Sequence, residues 1–465
     1  MVYKKYMLTS TPFKSSNDVY EWISIFINFE KVKNRREFKL DRVKILAEAA
    51  GRPERCAPSF HVAGSKGKGS VTGMIAAILE ASGMKTARYA SPHVSDFRER
   101  VSTGSGFFDE EIYVGAGNEL KELIESLPAS FREDTTFFEL FTLWFFLCAR
   151  RSRCGAMAVE TGMGGRLDAT NILDPLMSVI TLIELEHTEY LGNTVAAIAA
   201  EKAGIIKSGK PLVLAEQAAE ALEVFREHAV SRNSPLLYFP ECAEVQNIGV
   251  DRKGTRFTLV LKKNRFREET KPETLTGLFV PIPGEVQAKN AGLAVLALKT
   301  AFPDIRNECV YEGLSGFTLP GRFERISEMP PVIIDGAHTA RSVELAVKTF
   351  VSLYGAGGAL IFGCAAGKDV LSMTELCCPF FSAIIITTPG TFKKSNPKEV
   401  YDIFTGQIHI TGKESEILFI PDTTEAIKAA RGLALMRELP ILGTGSFYLA
   451  AEIRAYFLNA PLLSL

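Results

Sequence analysis

A chain of 465 residues is too long for one ordinary hydrophobic core, so two or more domains are expected. Its 53 basic and 54 acidic residues leave a formal net charge of −1, which excludes binding to nucleic acid or an anionic membrane through bulk charge. Eight scattered cysteines without a CxxC pair exclude a disulfide scaffold or a cysteine zinc site, and no apolar run reaches the roughly 18 residues of a membrane span.

The opening MVYKKYMLTS has no apolar stretch of signal-peptide length, so reduced thiols and a cytoplasmic location are expected. Residues 19–29 and 40–50 carry apolar residues at helical spacing, separated by a basic turn over 31–36. A short apolar strand at 60–63 then feeds a turn holding Gly64, Gly67 and Gly69, and 71–82 reads as a helix. Glycines let backbone N–H groups approach an anion, the helix N-terminus adds partial positive charge, and Lys68 adds a full one. The loop is shorter than the usual phosphate loop, and Gly69 separates Lys68 from Ser70. Taken alone it suits either a nucleotide cradle or a plain glycine turn.

Strands at 85–90, 156–159, 176–183 and 211–215 alternate with helical stretches at 109–127, 135–150 and 196–206. That alternation predicts a mostly parallel sheet covered on both faces, with ligands beyond the carboxyl ends of the strands. Four of those ends lead to the glycine loop, Ser91, Glu160 and His187. Singly, Ser91 suits a turn cap, Glu160 an ion pair and His187 a packed polar residue. Together they point to a site.

Residues 245–280 switch to strand alternation around a basic turn at 262–271, which predicts a hairpin with a solvated tip. A helix follows at 286–301, and 319–322 reads as a linker. Strand candidates then resume at 332–334, 359–362, 383–387, 417–420 and 440–442. The expected fold class is α/β: an N-terminal, mostly parallel P-loop ATPase domain over 1–317 and a smaller Rossmann-like α/β domain over 318–465.

The segments HVAGSKGKGS (61–70), YASPHVSDFRERV (89–101), ETGMGGRLDATN (160–171), EHTEYLGNT (186–194), EKAGIIK (201–207), KNA (289–291), PGRFE (320–324), DGAH (335–338), KD (368–369) and GTGSFYLAAEIR (443–454) occur in one order. In that order the chain resembles the folylpolyglutamate synthase and dihydrofolate synthase family, relatives of the muramyl peptide ligases. The resemblance implies a ligase in which ATP phosphorylates a substrate carboxylate and the amino group of L-glutamate displaces the phosphate. A reduced folate or dihydropteroate would be the acceptor, and a monomer is expected.

By the same resemblance, Gly67, Lys68, Gly69 and Ser70 would hold the ATP phosphates, with Asn290, Arg322 and Asp335 as further ATP contacts. Ser91, Glu160 and His187 would hold Mg²⁺. Lys68, Lys202, Glu160 and His187 form the expected catalytic set, with Lys202 at the position many members carry as a carbamate. Phe138, Glu139, Leu167, Asp168 and Ala169 would line the pterin site. Lys66 and Glu186 stand where Asn and Asp are common. A ligase for another carboxylate, such as a cell-wall precursor, and a non-catalytic nucleotide-binding relative are the alternatives.

Overall fold

The computed structural model describes residues 11–28, 40–262, 272–390, 393–412 and 414–458. The expected basic turn at 31–36 and nearly all of the expected hairpin tip lie outside them.

Helix α1 (Ser16–Ser24) starts at a capping box in which Ser15 and Asp18 satisfy each other's backbone N–H groups. Helix α2 (Asp41–Ala49) leads to β1 (Ser59–Ala63), which is buried throughout. Then come α3 (Lys68–Ala81), β2 (Thr86–Tyr89), β3 (Val101–Thr103), α4 (Glu110–Ser126) and α5 (Phe137–Arg151). Strand β4 (Ala156–Glu160), β5 (Met177–Ile180), α6 (Val195–Ala203), β6 (Leu212–Leu214) and β7 (Leu236–Tyr238) complete this layer. The strands form one seven-stranded sheet in the order β3-β2-β4-β1-β5-β6-β7. All pairings are parallel except β2 with β3.

The order places β1 at the centre with β4 and β5 on either side, so the loops leaving β1, β4 and β5 meet at one edge of the sheet. Helix α5 is almost wholly buried and packs its aromatic side chains with α1 and α4 on one face. Apolar neighbours on nearly every side make the run from Phe137 a core helix. On the other face, α3 packs among residues of β1, β4 and β5.

The expected hairpin is a three-stranded antiparallel sheet, β8 (Ala243–Asp251), β9 (Gly254–Leu261) and β10 (Glu273–Val280), in the order β10-β9-β8. Strand β8 adds a third member to the expected pair; its outward positions are polar and exposed, which dilutes its apolar signal. Helix α7 (Glu285–Ala301) packs beneath this sheet.

The C-terminal half forms a six-stranded sheet in the order β11-β12-β16-β13-β14-β15. Its strands are β11 (Glu324–Glu328), β12 (Pro331–Ile334), β13 (Gly358–Phe362), β14 (Phe381–Ile386), β15 (Glu416–Phe419) and β16 (Ile441–Thr444). Only β11 with β12 is antiparallel. Helix α8 (Ala340–Tyr354) follows β12 and α9 (Phe447–Leu458) follows β16. One continuous apolar cluster runs from Phe60 and Met74 through Phe317 and Phe323 to Ile333 and Phe350, so the two halves share a core at their junction.

Candidate active site

The glycine loop is bound to the sheet edge by its backbone. Ser65 and Lys66 both donate N–H to Leu182 O, at 2.9 and 3.2 Å, and Ser65 Oγ donates to Glu184 O at 2.9 Å. Gly67 begins α3 at φ +88°, and a Cβ there would lie 2.6 Å from Asn290 Oδ1, so glycine is required on both counts. No side chain caps α3. Its first N–H groups are left open at a loop carrying two lysines, which is the arrangement an anion needs.

Lys68 Nζ donates to Gly64 O at 2.7 Å and to Ser65 O at 3.4 Å, which folds the ammonium back over the loop. Glu160, at the end of β4, is buried, and Ser91 N–H donates to its Oε2 at 3.3 Å. A Cβ on Gly69 would lie 3.4 Å from the same oxygen, so the loop and the carboxylate are direct neighbours. Desolvation raises the Glu160 pKa to about 6, against the pull of Lys68, the Ser91 N–H, Arg322 and Arg88.

Lys202 is only 1% exposed, and its Nζ donates to Gly64 O and to Glu186 Oε1, each at 2.9 Å. Desolvation and then repulsion from Lys68 lower its pKa to about 8, with Glu186 opposing. Burial works against ionisation of Glu186, yet Lys68 and Lys202 together bring its pKa down to about 2. His187 follows in a left-handed conformation at φ +47°. Desolvation, with Lys68, Lys202 and Lys368 opposing Glu186, lowers its imidazole to about 4 although the residue as a whole is exposed. It makes no hydrogen bond to Glu160 or Ser91 among the described residues.

From the C-terminal half, the Arg322 guanidinium lies 4.0 Å over the Phe447 ring. It acts electrostatically on both Asp335 and Glu160, so it faces the glycine-loop side. Asp335 accepts N–H groups from Phe323 and Ala337, both at 2.8 Å, which fixes the turn that carries Arg322. Asn290 is buried beside Gly67 and bonded to Gln287 at 3.3 Å. Ser70 is buried in the first turn of α3.

The expected pterin residues fall around one neighbouring loop, 161–171. Phe138 packs against Gly162, where a Cβ would meet its ring at 2.3 Å. Leu167 is half-buried, and Asp168 and Ala169 are buried. Two carboxylates in this group are engaged internally. Asp168 accepts from Met163 N at 2.9 Å and from Thr170 N and Oγ1. Glu139 closes the cap of α5 with Thr136 and pairs with Arg42 Nε at 3.0 Å. Sequence reasoning gives no role to Arg88, Lys368 or Arg454. A charge inside the small-residue strand β2 is the one signal for Arg88, whereas Lys368 and Arg454 stand in the segments KD (368–369) and GTGSFYLAAEIR (443–454) and reach the site through the fold.

A helix N-terminus left open at a double-lysine loop, a buried carboxylate and an arginine presented by a second α/β unit suit the binding and transfer of a phosphate group. The Mur ligase middle domain matches residues 62–298, and the Mur ligase glutamate ligase domain matches residues 321–446. The chain is 31% identical over 421 residues to a dihydrofolate synthase/folylpolyglutamate synthase of Bacillus subtilis, covering 89% of this chain and 94% of that one. It resembles a Mycobacterium tuberculosis folylpolyglutamate synthase complexed with ADP and AMPPCP, with a TM-score of 0.82, 26% identity and coverage of 90% and 95%. A folylpolyglutamate synthase complex with AMPPCP and folate gives a TM-score of 0.80, 26% identity and coverage of 96% and 100%. The chain belongs to the folylpolyglutamate synthase and dihydrofolate synthase family, and it is an ATP-dependent, amide-forming ligase.

Proposed function

We propose that the chain phosphorylates the γ-carboxyl of a reduced folate with ATP and transfers that acyl group to the amino group of L-glutamate, releasing phosphate. Dihydropteroate is proposed as a second acceptor. The observation that carries this reading is the convergence of the uncapped α3 with Glu160 and Arg322, because phosphoryl transfer needs charge neutralisation and in-line placement more than a protein nucleophile.

In this reading Gly67, Lys68, Gly69 and Ser70 hold the β and γ phosphates, and Asn290, Arg322 and Asp335 complete the nucleotide site. Lys68 and Arg322 bring positive charge to the transferred group. Among the described residues no cluster of three or more His, Cys, Asp or Glu could hold a metal. Ser91, Glu160 and His187 instead offer one hydroxyl, one carboxylate and one imidazole. The hydroxyl and the carboxylate fit Mg²⁺, which takes few protein ligands and fills its shell with phosphate oxygens and water, whereas the imidazole is a softer donor that also suits Mn²⁺. When bound, the ion would neutralise phosphate charge.

Lys202 is the proposed carbamate position. Its lowered pKa favours the neutral amine a carbamate requires, while the Glu186 pair favours the ammonium. Phe138, Leu167 and Ala169 are proposed to border the pterin, with Glu139 and Asp168 shaping that wall. The domain boundary is proposed between 317 and 318, and the protein is proposed to work as a cytoplasmic monomer.

Phosphate release with Mg-ATP and L-glutamate, with product mass spectrometry, tests the reading. Turnover with tetrahydrofolate and dihydropteroate establishes both activities, and turnover with tetrahydrofolate alone restricts the chain to tail extension. Binding of ATP without turnover on either acceptor overturns it.

A further inference from the structure

The loop from Ser91 to Arg100 carries the Ser91 N–H that touches Glu160, and its shape depends on one half-buried carboxylate. Glu99 accepts N–H groups from Val94 at 2.6 Å, Ser95 at 3.0 Å and Asp96 at 3.1 Å. Arg100 Nε donates to His93 Nδ1 at 2.8 Å, which anchors the far side of the loop. These bonds are local to the loop. One bond is not.

Arg454 Nη1 donates to Ser95 Oγ at 3.2 Å across 359 positions of sequence. The same guanidinium donates through Nε to both Glu324 oxygens, at 2.9 and 3.1 Å. Glu324 Oε2 in turn accepts the Gly321 N–H at 2.8 Å, immediately before Arg322. The Val94 side chain lies 3.3 Å from where a Gly321 Cβ would be, so the loop and the turn are also in van der Waals contact. Phe447, beneath Arg322, stands seven positions before Arg454 on α9, two turns away on the same helix face. A single face of α9 therefore supports the Arg322 turn at one end and ties it to the Ser91 loop at the other.

We propose that Arg454 is a positioning residue: its forked guanidinium locks the Ser91 loop of the ATP-binding half to the Arg322 turn of the C-terminal half, so the two sides of the phosphate site are set by one side chain. The proposal rests on the ligase reading above. Arginine suits the task because its planar fork can bond a carboxylate with one edge and a hydroxyl with another, whereas lysine presents a single ammonium.

Arg454→Lys keeps the charge and removes the fork, and Ser95→Ala removes only the bond between halves. Each variant should lose about ten-fold in kcat with little change in the KM for ATP, because misplacing groups in a transfer site costs turnover before it costs binding. The double variant should fall no further than Arg454→Lys alone, since both remove the same link. Millimolar guanidinium added to Arg454→Ala should restore part of kcat.

Amide hydrogen exchange gives a readout independent of turnover. Residues 94–96 should exchange about ten-fold faster in Arg454→Lys and Ser95→Ala, while α3 and β1 stay at wild-type protection. Wild-type kcat and unchanged exchange in both variants would overturn the proposal, as would losses that simply add in the double variant. Faster exchange across the whole chain would reassign Arg454 to global stability and also overturn it. A wild-type protein without ATP turnover would instead overturn the ligase reading.

Discussion

The loops after β1 and β12 occupy similar places, each leaving a parallel strand within its sheet and opening a helix, yet they treat that helix end in opposite ways. After β1, Gly67 begins α3 without a side-chain cap, and its N–H groups stay available. After β12, Thr339 and Ser342 form a reciprocal capping box at α8, and Asp335 consumes the Phe323 and Ala337 N–H groups. The same strand-to-helix turn thus keeps its donors open in one half and is a closed structural joint in the other. What decides is whether the loop satisfies its own donors.

Four substitutions test that contrast, in falling order of effect. Lys68→Ala strips the open loop of its tethered cation and should lower kcat by about 10²–10³-fold in a phosphate-release assay, the usual cost of one transition-state donor. Wild-type turnover in that variant would break the contrast outright. Glu186→Gln leaves the buried Lys202 without its counter-ion and should cost about 3 kcal/mol in urea unfolding.

The same variant carries a pH signature. The folded-state pKa of Glu186, about 2, lies below its ordinary 4.5, so the carboxylate contributes stability that is present above pH 4.5 and is lost as pH falls toward 2. Wild-type and Gln variant stabilities should therefore converge through that acid window, measured by denaturant midpoints at successive pH values. Gly67→Ala forces a Cβ into a positive-φ position and should cost about 1–3 kcal/mol of stability, with weakened binding of a non-hydrolysable ATP analogue by calorimetry. Thr339→Ala, at the closed joint, should cost only about 1 kcal/mol and leave that binding unchanged.

The parallel sheets are legible in the sequence because buried parallel strands are short apolar runs set between helical patterns, as at β1, β4 and β5. Strands β3 and β7 are not, because VST offers one apolar residue and LLY is only partly buried, unlike the wholly apolar, buried LVL of β6, and β11 is hidden by an alternation that is mostly polar. At the site, Lys68, Glu160 and Ser91 can be placed from strand ends alone, since topology sends those ends to one edge. The Glu186 and Lys202 pair and the Arg454 link are contacts between segments whose local patterns say nothing about each other. Glu139 shows the converse: its cap partner Thr136 lies three residues away, and the capping-box spacing is there to be read.

A second polar contact between the halves is made from the three-stranded sheet. Arg252, just past the end of β8, donates to Leu353 O at 2.9 Å and stacks 4.6 Å from the Tyr354 ring at the end of α8. With Arg454 on Ser95, this gives the C-terminal half two mooring points on the rest of the chain. With the apolar cluster that runs between the halves, these two bonds oppose displacement of one half against the other.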